Sequence, residues 1–180
     1  MFYAGIDYSM TSPAITVGPS KDFSKCKTFF YNKSKKFGGV HQHNIYGIIS
    51  FPYEHEMERF GNITAWAMSI LKKFKVSEVC LEGYAMGASG KVFNIAENTG
   101  ILKHAMYSNN IKYYTPAPTQ VKKYFCGKGN AGKGLMYQAF LDQTKIDLSI
   151  ILNDKPENSP ISDIVDSYAM LCYGIDHYFR

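Results

Sequence analysis

Phe2-Tyr3-Ala4-Gly5-Ile6-Asp7 is the stretch from which the fold can be read. Phe2, Ala4 and Ile6 alternate with Tyr3, Gly5 and Asp7, the period of two that marks a strand, and the run stops on a carboxylate. Residues 14–17 and 26–31 follow at hairpin spacing around Gly18-Pro19-Ser20, which predicts an antiparallel meander of three strands. Farther out, the apolar run over 76–81 also stops on an acid, Glu82. A carboxylate costs several kcal/mol to hold in a dry interior. At the end of a buried strand it therefore either faces water at the sheet edge or is neutralised by a cation.

Between these two runs, Ile63, Trp66, Ala67, Ile70 and Leu71 recur at helical spacing and predict a helix from about 53 to 74. Used as a crossover, that helix makes strand 76–82 parallel to the first, and if the two strands are neighbours Asp7 and Glu82 end side by side. Beyond a turn containing Gly83, Gly87 and Gly90, residues 92–107 read as a second helix and 111–115 as a fifth strand closed by Pro116 and Pro118. Residues 133–143 and 162–178 read as further helices, the last with Ser159 as N-cap and Pro160 in its first turn. Residues 32–44 are polar and basic with two glycines and read as an exposed loop, with a short extra strand at most over 45–51. The order βββ-α-β-α-β-α-α predicts one α/β domain over residues 1–180, a mixed five-stranded sheet with its first three strands antiparallel, flanked by helices.

Composition narrows the function classes. With 46% hydrophobic and 15% aromatic residues the chain is not disordered, and no apolar run reaches the ~18 residues that span a bilayer, so no membrane association is expected. Met1-Phe2-Tyr3 leads straight into a strand without a secretory leader pattern, and the expected location is cytoplasmic. Cys26, Cys80, Cys126 and Cys172 contain no CxxC pair and read as reduced thiols, while the five histidines lack zinc spacing. The net charge of +5 is carried almost wholly by lysine, with Arg59 and Arg180 the only arginines. Lysine suits phosphates, so a nucleic-acid partner would be held by backbone and shape more than by base edges.

Asp163 and Asp166 share one face of the last predicted helix, while Ile161, Ile164, Val165, Tyr168, Leu171, Cys172 and Ile175 form its packing face. Any one acid alone reads as a surface carboxylate or helix-start residue. As a set, Asp7, Glu82, Asp163 and Asp166 would repel one another without metal. Hard oxygen donors suit Mg²⁺, with Mn²⁺ as a substitute, and two ions about 4 Å apart can activate water and stabilise the departing oxygen in phosphodiester hydrolysis. Gly127-Lys128-Gly129-Asn130-Ala131-Gly132-Lys133-Gly134 imitates a nucleotide-binding P-loop but ends on Gly134, which has no hydroxyl for Mg²⁺, so no nucleotide cofactor is expected. Its amides, with Lys128 and Lys133, read instead as a place for a DNA phosphate.

Gly5-Ile6-Asp7, Leu81-Glu82, Pro118-Thr119-Gln120-Val121-Lys122, Gly127-x-Gly129-x-Ala131-x-Lys133 and Asp163-x-x-Asp166-x-Tyr168-Ala169, in this order across the chain, resemble RuvC-type Holliday-junction resolvases. The resemblance implies a ribonuclease H-like fold and a homodimer that nicks two symmetry-related strands of a four-way junction, leaving 5′-phosphate and 3′-hydroxyl ends. It implies that Asp7, Glu82, Asp163 and Asp166 are the metal-binding catalytic acids. It makes Lys122 and Lys133 basic residues near the scissile phosphate, Lys122 among the catalytic residues, and offers Tyr84 as the aromatic that stacks at the junction centre; with them, Lys123 and Lys128 are expected to contact DNA. Tyr8-Ser9-Met10 after Asp7 and the insertion over 32–52 depart from cellular members and fit phage or viral ones, some of which cut branched DNA more broadly. Gly5-Ile6-Asp7-x-Ser9-x-Thr11 also resembles an actin-like phosphate loop, but that architecture needs a duplicated fold. A non-catalytic module for branched DNA would have no need of the four acids.

Overall fold

The computed structural model describes residues 1–83 and 92–180. Strands β1 (Tyr3–Asp7), β2 (Ala14–Gly18) and β3 (Lys27–Asn32) form the expected antiparallel meander, with Asp7 opposite Ala14 and Thr16 opposite both Gly5 and Thr28. The sheet then departs from expectation, because among the described residues it has seven strands rather than five. Residues read as a loop supply β4 (Gly39–His41), and β5 (Ile45–Ile49) pairs parallel with β3, from Thr28 beside Ile45 to Asn32 beside Ile49. The reason is burial. Phe29, Phe30 and Tyr31 make β3 too apolar to stand as an open edge, and β5 covers it with the fully buried Ile45.

Helix α1 (Glu56–Lys73) crosses over to β6 (Glu78–Leu81), which lies parallel to β1 with Leu81 beside Ile6. Helix α2 (Val92–Ser108) crosses over in turn to β7 (Lys112–Tyr114), so the strand order is β4-β5-β3-β2-β1-β6-β7. The rest of the chain is helical: α3 (Pro118–Cys126), α4 (Lys133–Thr144), α5 (Leu148–Leu152) and α6 (Ile161–His177). Among the described residues no helix is long and apolar enough to cross a membrane.

Strand alternation divides the core in two. Ala4, Ile6, Ile15 and Val17 face α1 and α2, where Ile63, Ala67, Leu71, Leu102 and Met106 complete one cluster. The opposite face packs Ala14, Phe30 and Cys80 against Phe125, Phe140, Ile164, Tyr168 and Leu171 of the later helices. Burial pushes the thiols of Cys26, Cys80 and Cys172 up to about 12, so these cysteines act as packing groups.

Helix α6 runs directly over β1 because Gly5 has no side chain: a Cβ there would overlap Leu171 N and Ser167 O and lie 2.8 Å from Leu171 Cα. In the same cross-strand row, Thr28 Oγ1 donates to Thr16 Oγ1 (3.1 Å), Thr16 to Ser167 Oγ (2.8 Å), and Ser167 to Ile164 O (2.8 Å), all three residues being fully buried. Thr16→Val keeps the shape but breaks this chain. It is expected to cost about 1–3 kcal/mol in urea unfolding, and a loss below a few tenths would mean that the hydroxyls find other partners. The helix begins at Ile161 with Pro160 in the capping position, not Ser159. Asn158 O and Pro160 O accept the first amides, from Ser162 and Ile164, so no serine cap is used.

Candidate active site

Three segments bring the acids together. Asp7 ends β1, and the Glu82 amide donates to Ile6 O (3.2 Å), which continues the β1–β6 ladder by one residue and sets the two acids on adjacent parallel strands. Both face α6, since Gly5 and Cys80, each two residues earlier, abut that helix. Gly5 meets Ser167 and Leu171, so Asp7, one strand repeat farther on, comes level with the preceding turn of α6, which holds Asp163 and Asp166. Gly83 tightens the exit from β6: its amide donates to Pro116 O (3.0 Å), and a Cβ there would lie 2.7 Å from that oxygen.

The lysines arrive on α3 and α4. The Pro118-to-Lys122 motif is explained by a helix start absent from the sequence reading: Pro118 opens α3, Gln120 Oε1 accepts from the Ala117 amide (3.0 Å), and Val121 is buried. Lys122 then faces the acids, lowering the pKa of Glu82 and Asp166. The glycine loop folds back on this helix start, Gly129 standing against Thr119 O, and delivers Lys133 at the head of α4. A helix, not a strand, precedes this loop, unlike a nucleotide P-loop. Lys133 Nζ donates to Glu157 O and to Ser162 Oγ (both 3.1 Å), and Ser162 donates to Asp163 Oδ1 (3.3 Å). Ser162 escaped sequence reasoning; its place beside Asp163 was the available signal. Lys123 and Lys128 are exposed on the same segment. Tyr84 lies outside the described residues.

Asp7 and Asp163 are each only 8% exposed, so the site holds its charge at a cost. Burial, then repulsion from Glu82, Asp163 and Asp166, raises the Asp7 carboxyl well above its ordinary range, against the pull of Lys133. Burial also raises Glu82, with Lys122 opposing and Asp163 adding. Asp166 is pushed up to about 7, mainly by burial and then by Glu82. Asp163 Oδ2 is buried with no hydrogen-bond partner. As placed, no three His, Cys, Asp or Glu groups among the described residues close around one point tightly enough to hold an ion. The set nevertheless fits a hard divalent cation: its donors are all carboxylate oxygens, they repel one another, and one buried oxygen is orphaned.

A family model described as crossover junction endodeoxyribonuclease RuvC matches residues 34–170. The chain belongs to the RuvC family. RuvC of Brachyspira hyodysenteriae is 25% identical over 123 residues, covering 68% of this chain and 76% of that protein. Thermus thermophilus RuvC in complex with a Holliday junction substrate superposes with a TM-score of 0.64 at 20% identity, over 94% of this chain and 92% of that one. A fowlpox virus resolvase, solved with substrate Holliday junction DNA, gives 0.52 at 14% identity over the whole of both chains. At these identities the structures establish the shared fold. RuvC membership makes the chain a crossover junction nuclease, and the RuvC match includes Glu82, Lys122, Lys133, Asp163 and Asp166, while Asp7 lies ahead of it on β1.

Proposed function

We propose that this chain resolves four-way DNA junctions by metal-dependent paired nicking, with Asp7, Glu82, Asp163 and Asp166 as the acids that hold the metal. The observation that carries this reading is the meeting of carboxylates from two parallel strands and one helix, Asp7 and Asp163 buried and Glu82 and Asp166 half-buried, which repel one another. A bound pair of Mg²⁺ ions, or Mn²⁺, would supply an activated water and charge neutralisation at the attacking and leaving oxygens. The chain's own part is to position and to balance charge. Lys122 and Lys133 flank the acids and set positive charge where a phosphodiester gains negative charge, and Ser162 orients Lys133. The family's 5′-phosphate and 3′-hydroxyl products follow from water attack on phosphorus with departure of the 3′ oxygen.

A homodimer suits a substrate with two-fold symmetry. Its support here is the groove between α1 and α2, lined by Met57, Glu97, Gly100, Ile101 and His104, with Met57 59% and Phe93 of α2 81% exposed. The direct test is a synthetic four-way junction with Mg²⁺, beside a flap, a fork and linear duplex. Symmetric paired nicks in the junction and an intact duplex support the reading. Binding without cleavage in either Mg²⁺ or Mn²⁺ would leave a branched-DNA-binding module instead, and equal cutting of flap and fork would make it a broader branched-DNA nuclease.

Lys122→Ala and Lys133→Ala are each expected to slow cleavage and to flatten the salt dependence of junction binding by about 0.9 in log–log slope per lost phosphate contact. Unchanged slopes in both variants would remove these lysines from the DNA surface.

A further inference from the structure

The two strands added at the β3 edge bring a run of lysines to the catalytic end of the sheet. β3 runs in the same direction as β1, and β5 runs parallel to β3, so Asn32 and Ile49 end where Asp7 and Leu81 end. The chain leaving β3 there carries Lys33, Lys35 and Lys36, all exposed.

This segment is tied to the active site from both sides. Asn32 Nδ2 donates to Ser12 Oγ (3.3 Å), and the Ser12 amide donates to Ser9 Oγ (2.9 Å), which anchors it to the loop leaving Asp7. Lys36 Nζ donates to Asn153 O (2.7 Å) and pairs with Asp154 (3.3 Å), in the turn that leads toward α6. Lys33 and Lys35 are left without an ion pair among the described residues, and Lys33 stands 5.8 Å from the centre of the Tyr53 ring. Of the carboxylates that begin α1, Glu56 is taken by Arg59 and Glu58 accepts from the Glu54 amide.

Distance decides what these charges can reach. Two strand spacings of ~4.8 Å separate β3 from β1, and Lys33 lies three residues past Phe30, which is level with Asp7, so with a rise of ~3.3 Å per residue the lysines stand roughly 15 Å or more from Asp7, about four or five base-pair steps along a duplex. The geometry points to residues 33–36 as a second phosphate-binding surface, which grips the backbone of a duplex arm on the β3 side of the acids. It reads no bases, because it offers lysine point charges and no arginine. The inference rests on the junction-cutting function proposed above.

The test is the double variant Lys33→Ala with Lys35→Ala, assayed on the same four-way junction across a salt series. Its Kd is expected to rise about tenfold near physiological salt, and the log–log salt slope to flatten by about 2, one phosphate contact per lysine. Single-turnover cleavage at saturating protein should stay unchanged, since the acids, Lys122 and Lys133 are intact, and the Lys33→Arg with Lys35→Arg variant should restore both slope and affinity. An unchanged Kd and slope, in a protein whose wild type binds and cuts the junction, overturns this surface alone. A wild type that neither binds nor cuts the junction overturns the functional reading and this surface with it.

Discussion

Asp7→Asn is expected to cut junction cleavage by about a thousandfold or more while leaving junction binding intact or tighter. Asparagine keeps the volume and the strand position of Asp7, so the fold has no steric reason to change. What disappears is the charge that a divalent cation would neutralise, together with one of the charges that repel DNA phosphates. The same change should stabilise the metal-free protein. The Asp7 carboxyl is raised first by burial and then by Glu82, Asp163 and Asp166, so its ionised form stands against three neighbours in a dry setting. Removing it should lift the melting temperature in chelator by about 2–4 °C for each kcal/mol relieved. Added Mg²⁺ should raise the melting temperature of the wild type and leave that of the variant nearly unmoved. Binding lost together with cleavage, or a lower melting temperature in chelator, would make Asp7 a structural residue.

Gly5→Ala has the largest expected effect on stability. The new methyl group would overlap Leu171 N and Ser167 O, and because both atoms belong to the α6 backbone no side-chain rotation relieves the overlap. The helix must lift from β1, breaking its buried packing and the bond to Thr16, for an expected loss of more than about 3 kcal/mol in urea unfolding. Cleavage should fall further than the folded fraction does, since lifting α6 separates Asp163 and Asp166 from Asp7 and Glu82. Gly61 supplies the contrast. It lies inside α1, where a methyl group would meet nothing within 4 Å, so Gly61→Ala should gain about 0.5–1 kcal/mol through helix propensity alone. If Gly5→Ala and Gly61→Ala shift stability alike, the close approach of α6 is not what Gly5 serves.

These two positions also show what was legible in the sequence. The acids could be found because each ends or sits in a segment of clear period: alternation up to Asp7, an apolar run up to Glu82, and a three-residue spacing on the helix for Asp163 and Asp166. The parallel direction of β6 followed from the crossover helix, and the structure shows that it is also the direct neighbour of β1. The added strands were less visible. β4 is three residues long and largely exposed, while β5 matches the short extra strand read over 45–51, and only its parallel pairing with the open edge of β3 is not announced locally. Helix α3 was hidden by Pro116 and Pro118, which read as the close of a strand, although Pro118 at a helix start and Gly127 in the left-handed region just past its end are a recognisable pair. The Gly5–Thr16–Thr28 row and the bond from Lys133 to Ser162 are tertiary facts, set by partners distant in sequence; for Ser162 only its place beside Asp163 hinted at a role, and no local pattern announces the row.

Apolar packing holds a helix against a sheet without strongly choosing where along its axis the helix stops, and a slide of one turn, about 5.4 Å, exchanges one set of greasy neighbours for the next. Here the buried hydroxyl of Thr16 meets one group of α6, the Ser167 hydroxyl, and Ser167 directly follows Asp166 in the chain. The bond thus works as an indexing pin: it fixes the station at which α6 halts, and with it the spacing between carboxylates on different elements. Transplanting α6 from another member of the family onto this sheet should therefore preserve the active-site spacing when the donor helix brings a hydroxyl in that position, and lose it when the pin has nothing to engage.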